Sequence, residues 1–181
     1  MIAIVPYDAS WPEKYAIEAE SLREALGACA IQIEHVGSTS IPSLAAKDVI
    51  DIQISVPTLG SLAPYLQPLA GIGYEHVPLG DFDAIYPFFQ KPVNWPSTHH
   101  LHLCIAGSEQ ERRHLAFRDY LRHNPIVAAQ YVALKRELAT VNHGATLESR
   151  ERYSLSKTQF VSSVLVQALS EGYPLPHVPD A

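Results

Sequence analysis

The sequence predicts an α+β fold: a small mixed β-sheet with helices packed on it, followed by a helical C-terminal portion. Residues 31–56 contain two apolar runs of strand character on either side of a small polar turn. Residues 84–90 and 98–105 are two further strand candidates, and the loop between them is too short for a parallel crossover, so we expect an antiparallel pair. From Ser108 onward, apolar residues recur at helical spacing.

Length and composition favour one domain. The chain has 181 residues, of which 47% are hydrophobic and 18% charged, as is ordinary for a globular protein with a real core. We expect a single domain over residues 1–171 and a Pro-rich tail over residues 172–181.

Charge and hydropathy argue against two classes of partner. The net charge of -6 disfavours binding to a nucleic-acid backbone, so any phosphate would have to be bound by a local basic patch. No apolar run approaches the roughly 20 residues of a membrane span. The first residues carry neither the basic start nor the cleavage site of a signal peptide, so we expect a cytoplasmic protein.

Capping signals predict where helices begin. Ser10 and Glu13 have the spacing of a capping box at the start of an N-terminal helix. Asn124 followed by proline predicts another helix start, and a further helix begins near residue 147. The apolar stripe predicted for the helix after Asn124 consists of Tyr131, Leu134 and Leu138.

The polar turn and the strand after it form the most informative stretch of the chain. Residues 37–40 read Gly-Ser-Thr-Ser, and residues 43–47 are long enough for a short helix. Apolar and polar residues then alternate over residues 49–56, as in a half-buried strand. The polar face of this strand carries Asp51, Gln53 and Ser55.

Several motifs, in order along the chain, resemble a known family. Residues 35–52 read HVGSTSIPSLAAKDVIDI, residues 99–103 read HHLHL and residues 117–122 read FRDYLR. Tyr153, Lys157 and Phe160 follow in the C-terminal part. Together they resemble the GrpB family over roughly residues 5–165. The resemblance implies the nucleotidyltransferase fold, and some members of the family are fused to dephospho-CoA kinase.

The polar turn is a candidate phosphate site. Backbone N–H groups at the start of the predicted 43–47 helix would bind an anion together with the hydroxyl groups of the turn, and a glycine allows close approach of the ligand. The candidate ligand-binding residues are Gly37, Ser38, Thr39, Ser40 and Lys47. The alternative is a tight turn whose hydroxyl groups only cap the chain.

Asp51 is the candidate catalytic residue. The resemblance implies a metal site on this strand, because nucleotidyltransferases use two carboxylates one residue apart to bind Mg²⁺ around a triphosphate. Here the second position is Gln53, which carries no charge. This departure puts standard two-metal chemistry in doubt.

Two histidines could replace the missing carboxylates. His100 and His102 share one face of the predicted 98–105 strand, so Asp51, His100 and His102 are candidate ligands of a divalent metal such as Mg²⁺, Mn²⁺ or Zn²⁺. In the alternative interpretation, these histidines bind a phosphate or orient Asp51 without a metal.

Basic residues in the helical portion are candidates for phosphate contact. The resemblance favours Arg118 and Lys157, and arginine binds phosphate bidentately. The alternative for both is a solvated helix face with salt bridges.

The sequence supports three hypotheses about function. The first is metal-dependent transfer of a nucleotidyl group, or related phosphate chemistry, on a small molecule. The second is a non-catalytic accessory module that binds a nucleotide or coenzyme. The presence of Gln53 in place of an acid favours this second hypothesis. The third, weaker hypothesis is a metal-dependent hydrolase. The expected partner in each case is a nucleotide or another phosphorylated small molecule.

Overall fold

The computed structural model describes residues 2–92, 96–142 and 146–175. Its strands are β1 Gln32–Val36, β2 Ile50–Val56, β3 Glu75–Val77, β4 Phe88–Lys91 and β5 His99–Ile105. Its helices are α1 Trp11–Leu26, α2 Ala63–Gly71, α3 Glu109–His123, α4 Pro125–Val141, α5 Leu147–Leu155 and α6 Thr158–Ser170. The α+β fold with a helical C-terminal portion is therefore confirmed.

The strands form one mixed five-stranded sheet in the order β1-β2-β5-β4-β3. Strands β2 and β5 are parallel, whereas β1 pairs with β2 and β4 with β5 in antiparallel fashion. The expected antiparallel pairing of β4 with β5 is thus confirmed. In the β2–β5 register, Asp51 lies opposite His100 and Gln53 opposite His102. The polar face of β2 and the histidine face of β5 therefore lie side by side.

Alternation along β2 and β5 builds the main core. Ile52, Ile54, Leu101 and Leu103 have no solvent exposure, and they pack in one apolar cluster with Trp11 of α1 and residues of α2. Side chains on the opposite face of the same strands then point toward the C-terminal helices. A strand pair buried on both faces in this way positions its few polar residues rigidly.

The predicted helix over residues 43–47 is absent. Residues 38–40 form a single 3₁₀ turn instead, and the chain then runs in a non-helical path in which Ser43 has a φ of 64°. Ala46 pairs with Val5 through two backbone hydrogen bonds of 2.8 and 3.0 Å. Because this bridge needs an extended backbone, residues 43–47 provide no helix N-terminus for the polar turn, and that part of the phosphate-site prediction is wrong.

Other boundaries differ from the prediction for local reasons. The side chain of Ser10 does not cap α1; Asp8 accepts the backbone N–H of Ser10 at 2.8 Å instead. The strand predicted over residues 84–90 begins only at Phe88, because residues 80–84 form a 3₁₀ turn. The helix predicted from residue 147 is two helices, α5 and α6.

A second apolar cluster joins the helical portion to the polar turn. Ile41 and Leu44, which follow the turn, pack against buried residues of α3, α4 and α6. Within the described residues, no helix has both the length and the apolar character needed to cross a membrane. Residues 176–181 of the predicted tail lie outside the described part of the chain.

Candidate functional site

One cavity of about 360 Å³ lies between the polar turn, the sheet and helices α4 to α6. It is lined by Ser38, Thr39, Ala46, Lys47, Val49, Asp51, Leu79, Phe88, His100, His102, Lys135, Tyr153, Ser154 and Lys157. We call this cavity the main pocket. The structure therefore brings together seven of the predicted site residues, from five separate segments of the chain.

Asp51 and His100 form a hydrogen-bonded pair in its wall. They are register partners on β2 and β5, and Nδ1 of His100 donates to Oδ1 of Asp51 at 3.1 Å. Their side chains are 33% and 28% exposed, so both are accessible from the pocket. Burial raises the pKa of Asp51, but the hydrogen bond and charge of His100, with smaller contributions from His102 and Lys157, hold it below its ordinary value. Asp51 is therefore a carboxylate at neutral pH.

Gly37 is required by the close approach of the turn to Asp51. Its φ is 66°, a conformation that residues with a side chain rarely adopt. A Cβ atom on Gly37 would also come within 2.8 Å of Cβ and Cγ of Asp51, which is far inside van der Waals contact. The glycine therefore allows the turn backbone to lie directly against the carboxylate, although Gly37 itself is not among the lining residues.

The hydroxyl groups of the turn are engaged in building it. Thr39 bonds to the ring of His35 at 3.0 Å and donates to the carbonyl of Val49 at 3.2 Å. Ser40 donates to the carbonyl of Gly37 at 2.7 Å. Ser38 and Thr39 line the pocket, whereas Ser40 does not. The capping interpretation thus describes the hydroxyls of Thr39 and Ser40, and the turn still faces the pocket.

Three lysines give the pocket a cationic side. The ammonium groups of Lys47 and Lys157 lie 4.1 and 4.6 Å from the ring centroid of Tyr153. Nζ of Lys135 donates to the carbonyl of Ala45 at 2.6 Å and is almost fully buried. Burial, together with the nearby charge of Lys157, lowers the pKa of Lys135 to about 7. Burial also lowers the pKa of Lys157, although Asp51 opposes that shift.

His102 lies deeper than His100. Its ring stacks between Tyr86 and Phe88, with centroids 4.3 and 4.8 Å away. Burial lowers its pKa to about 3, so the imidazole is neutral at physiological pH. Its Nδ1 is buried and has no hydrogen-bond partner among the described residues. His102 therefore contributes an apolar wall more than a charged or hydrogen-bonding group.

Gln53 is not part of the pocket. It has no solvent exposure, its Nε2 donates to the carbonyl of Glu111 at 3.4 Å, and its Oε1 accepts from the Tyr86 hydroxyl at 3.2 Å. A second carboxylate in this place would be buried beside a carbonyl oxygen, which is costly. Gln53 is therefore a structural amide.

The described donors do not fit a metal centre built from protein side chains. In the described ranges, no group of three His, Cys, Asp or Glu side chains is arranged to bind a metal ion. Asp51 and His100 are paired with each other, while His102 is enclosed by aromatic rings. Within the described residues, Asp51, His100 and His102 are therefore not arranged as the predicted three-ligand site.

Arg118 is not in the pocket, contrary to its predicted role in phosphate binding. Its guanidinium donates to the carboxylates of Glu34 and Asp119 and to the carbonyl of His35. It is only 9% exposed, so its charge is already neutralised inside the protein. The nearby Arg122 donates to the carbonyl of Ser40 from Nε and Nη2, at 3.1 and 2.8 Å. Arg118 and Arg122 therefore stabilise the polar turn and the end of β1 through their carbonyl groups.

Lys135 is the site residue that the sequence pattern did not indicate. The apolar stripe of α4 was predicted to include Leu134, but the buried positions are Ala128, Tyr131 and Lys135. The spacing of Lys135, four residues after Tyr131, is the signal that could have identified it. A lysine at a buried helical position needs a partner, and here its partners are a carbonyl and an aromatic ring.

The chain is similar to a described family model and to several curated proteins. A family model described as GrpB protein matches residues 1–167. The UPF0157 protein YqkA of Bacillus subtilis is 39% identical over 139 residues, a match that covers 76% of this chain and 40% of that protein. A dephospho-CoA kinase of Mycolicibacterium paratuberculosis is 32% identical over 158 residues, covering 75% of this chain and 39% of the kinase. The chain thus spans well under half the length of both relatives.

Solved structures agree with the fold and the family. The crystal structure of the conserved protein GrpB from Enterococcus faecalis superposes with a TM-score of 0.79 at 34% identity, covering 93% of this chain and 98% of that one. The Cid1 poly(U) polymerase superposes with a TM-score of 0.53 at 14% identity, covering 79% of this chain and 45% of that one. The second likeness shows that the fold is nucleotidyltransferase-like. Because a GrpB model and a GrpB structure each match nearly the whole chain, this protein belongs to the GrpB family.

Proposed function

We propose that the main pocket binds a nucleotide and transfers its nucleotidyl group to a small acceptor molecule. One observation carries the proposal: a single cavity combines the Asp51–His100 pair with three lysine side chains, in a protein whose net charge is -6. A cavity lined by three lysines in an acidic protein favours an anionic ligand. The nucleotidyltransferase-like fold is consistent with a nucleotide in that role.

The lysines favour a ligand that carries several phosphates. Lys47, Lys135 and Lys157 line the same cavity, in which Asp51 is the one carboxylate among the described lining residues. Lys157 contributes to lowering the pKa of Lys135, so a bound anion would favour the protonated form of Lys135. Lysine acts as a point charge toward phosphate. A polyphosphate chain would supply several negative charges to this cavity.

The rest of the wall suits the nucleoside part. Val49, Leu79 and Phe88 give the pocket an apolar side, and Leu79 is 43% exposed at its rim. Small-molecule pockets commonly combine apolar walls with a few polar groups that fix orientation, in volumes of roughly 300–1,000 Å³. The cavity of about 360 Å³ lies at the lower end of that range. Its size matches one small ligand.

The proposed reaction assigns roles to the paired residues. An oxygen of the acceptor hydroxyl forms a bond to the α-phosphorus, the bond from that phosphorus to the bridging oxygen breaks, and pyrophosphate leaves. The hydroxyl proton passes to the second ring nitrogen of His100, whose Nδ1–H is directed at Asp51. Asp51 orients the imidazole and stabilises the imidazolium that forms, in the manner of a carboxylate–histidine pair. The lysines offset the charge that develops on the pyrophosphate.

A second candidate function is a non-catalytic accessory module that binds a nucleotide or coenzyme. The buried amide of Gln53 favours it, because the site then lacks the second carboxylate of metal-dependent transfer. The similarity to part of a dephospho-CoA kinase is also consistent with an accessory role. Binding would then use the same lysines, without turnover.

Calorimetric titration with ATP and a pyrophosphate-release assay test these proposals together. Wild type should bind ATP, Lys157→Ala should weaken binding about tenfold or more, and exposed Arg112→Ala should leave it unchanged. Under nucleotidyl transfer, a panel of small hydroxyl-containing acceptors should include one that raises pyrophosphate release, and His100→Gln should abolish that release while ATP still binds. Binding without release across the panel supports the accessory module. No binding of ATP or of inorganic tripolyphosphate contradicts both.

A further inference from the structure

A second cavity of about 260 Å³ lies directly beside the main pocket. It lies among helices α3, α4, α5 and α6 and is open to solvent on one side, and Ser154 and Lys157 line both cavities. Tyr131 forms part of its wall, and Lys135, which lines the main pocket, has its Nζ atom 4.7 Å from the ring centroid of Tyr131. The two cavities are therefore adjacent chambers that share Lys157, and we call the smaller one the side chamber.

The side chamber has the chemistry of an anion site. The charged side chains that line it in the described part of the chain are Arg113 and Lys157, and both are cationic. Arg113 pairs with Glu109 at 3.3 Å, but Glu109 is itself outside the chamber wall and its side chain is 70% exposed. An exposed ion pair of this kind contributes little, so the guanidinium is available to a better partner.

Hydroxyl groups complete the set of donors. Ser154, Thr158 and Ser162 line the chamber, and their side chains form no hydrogen bond with any residue in the described ranges. Arginine, lysine and hydroxyl donors around a small volume match the oxygens of a phosphate group. The volume of about 260 Å³ is smaller than that of usual pockets for larger ligands, so one small anionic group suits it.

We propose that the side chamber binds a phosphate group of a second substrate, the acceptor, with Arg113 as its principal ligand and Lys157 shared with the nucleotide. This inference rests on the proposed function, because it treats the main pocket as the donor site. It adds that the acceptor is a phosphorylated small molecule. Lys157 would then lie between the two anions and reduce their mutual repulsion.

The test titrates the full chain with inorganic phosphate, after the main pocket has been saturated with inorganic tripolyphosphate, and follows backbone amide shifts of residues 154–162 by NMR. Wild type should show a second, saturable phosphate site. Arg113→Ala should weaken phosphate binding about tenfold or more and change tripolyphosphate binding by less than twofold. Lys157→Ala should weaken both, and Lys47→Ala only tripolyphosphate. The matched control is Arg112→Ala, an exposed arginine one residue away, which should change neither.

The possible results separate this proposal from the proposed function. The proposal for the side chamber would be overturned if phosphate only competes with tripolyphosphate. It would also be overturned if Arg113→Ala and Arg112→Ala bind phosphate with equal affinity. A tenfold loss of tripolyphosphate binding in Arg113→Ala would also overturn it, because one ligand would then span both cavities. If instead the proposed function of the main pocket is wrong, tripolyphosphate would not bind, while the Arg113-dependent phosphate site would persist.

Discussion

The backbone of Gly37 lies directly against the side chain of Asp51, so that a Cβ atom on Gly37 would come within 2.8 Å of Cγ of Asp51. This contact joins the polar turn to the β2–β5 pair and places the turn beside the Asp51–His100 hydrogen bond. Glycine is the residue that both the positive φ and the close approach require. The turn, the carboxylate and the imidazole therefore behave as one unit.

We expect Gly37→Ala to displace Asp51 and weaken ATP binding about tenfold or more. The backbone conformation of Gly37, with a φ of 66°, should by itself cost the alanine variant about 1–3 kcal/mol of unfolding free energy. Gly27→Ala is the matched control, because Gly27 has a φ of 50° and nothing within 4 Å of an added Cβ. Calorimetry and denaturant unfolding measure the two effects. Equal ATP affinities in the two variants would show that the contact with Asp51 has no role in binding.

We expect Arg118→Ala to destabilise the fold rather than remove a ligand contact. Its guanidinium is buried between Glu34 and Asp119, and removing one partner of a buried charge pair typically costs about 3–5 kcal/mol. Urea unfolding of Arg118→Ala and of the exposed-site variant Arg112→Ala gives the comparison. A fully stable Arg118→Ala protein that has lost ATP affinity would reverse this conclusion.

We expect the stability of the protein to depend on the protonation of Lys135. Its pKa is about 7 in the folded chain, against an ordinary value of 10.5. Between these values the unfolded chain binds the proton more tightly, so the contribution of Lys135 to stability rises with pH from about 7 to 10.5, by at most about 1.4 kcal/mol per pH unit. Below pH 7 both states are protonated and the contribution is constant.

Urea unfolding between pH 7 and 9.5 checks this dependence by comparing wild type with Lys135→Met. The stability of wild type should rise relative to the variant over this range, whereas Lys14→Met, at an exposed lysine, should follow wild type. Parallel curves for wild type and Lys135→Met would mean that Lys135 titrates as an ordinary lysine. The groups that face it and could modify the slope are Asp51, Lys47, Lys157 and Arg136.

We expect divalent metals alone not to stabilise the protein, and Mg²⁺ to strengthen the binding of tripolyphosphate. Asp51 is the one carboxylate that lines the main pocket within the described residues, and a single carboxylate binds Mg²⁺ usefully only together with ligand phosphates. Thermal-shift measurements with Mg²⁺, Mn²⁺ and Zn²⁺, with and without tripolyphosphate, give the comparison. The effect of Mg²⁺ should disappear in Asp51→Asn. Stabilisation by Zn²⁺ alone that is lost in His102→Ala would instead support the three-ligand site.

Local periodicity determined much of the sheet and the faces of its strands. The alternation in residues 49–56 and 98–105 predicted which side chains share each face of β2 and β5, and both strands lie where the pattern indicated. The half-buried strand predicted for residues 49–56 is wrong, because Gln53 and Ser55 on its polar face are buried as well. The same period-two rule predicted that His100 and His102 share a face. These features need only neighbouring residues, so they can be read without knowledge of the rest of the chain.

Tertiary structure decided which of the polar residues became the site. The parallel register of β2 with β5 set His100 opposite Asp51, and the sequence contains no local signal for a pairing between segments so far apart. Burial on α4 made Lys135 a pocket residue, whereas Glu34 and Asp119 bound the guanidinium of Arg118. The bridge between Val5 and Ala46 replaced the expected helix. The free energy of a charged group depends on the partners and solvent around it, and only long-range contacts determine those.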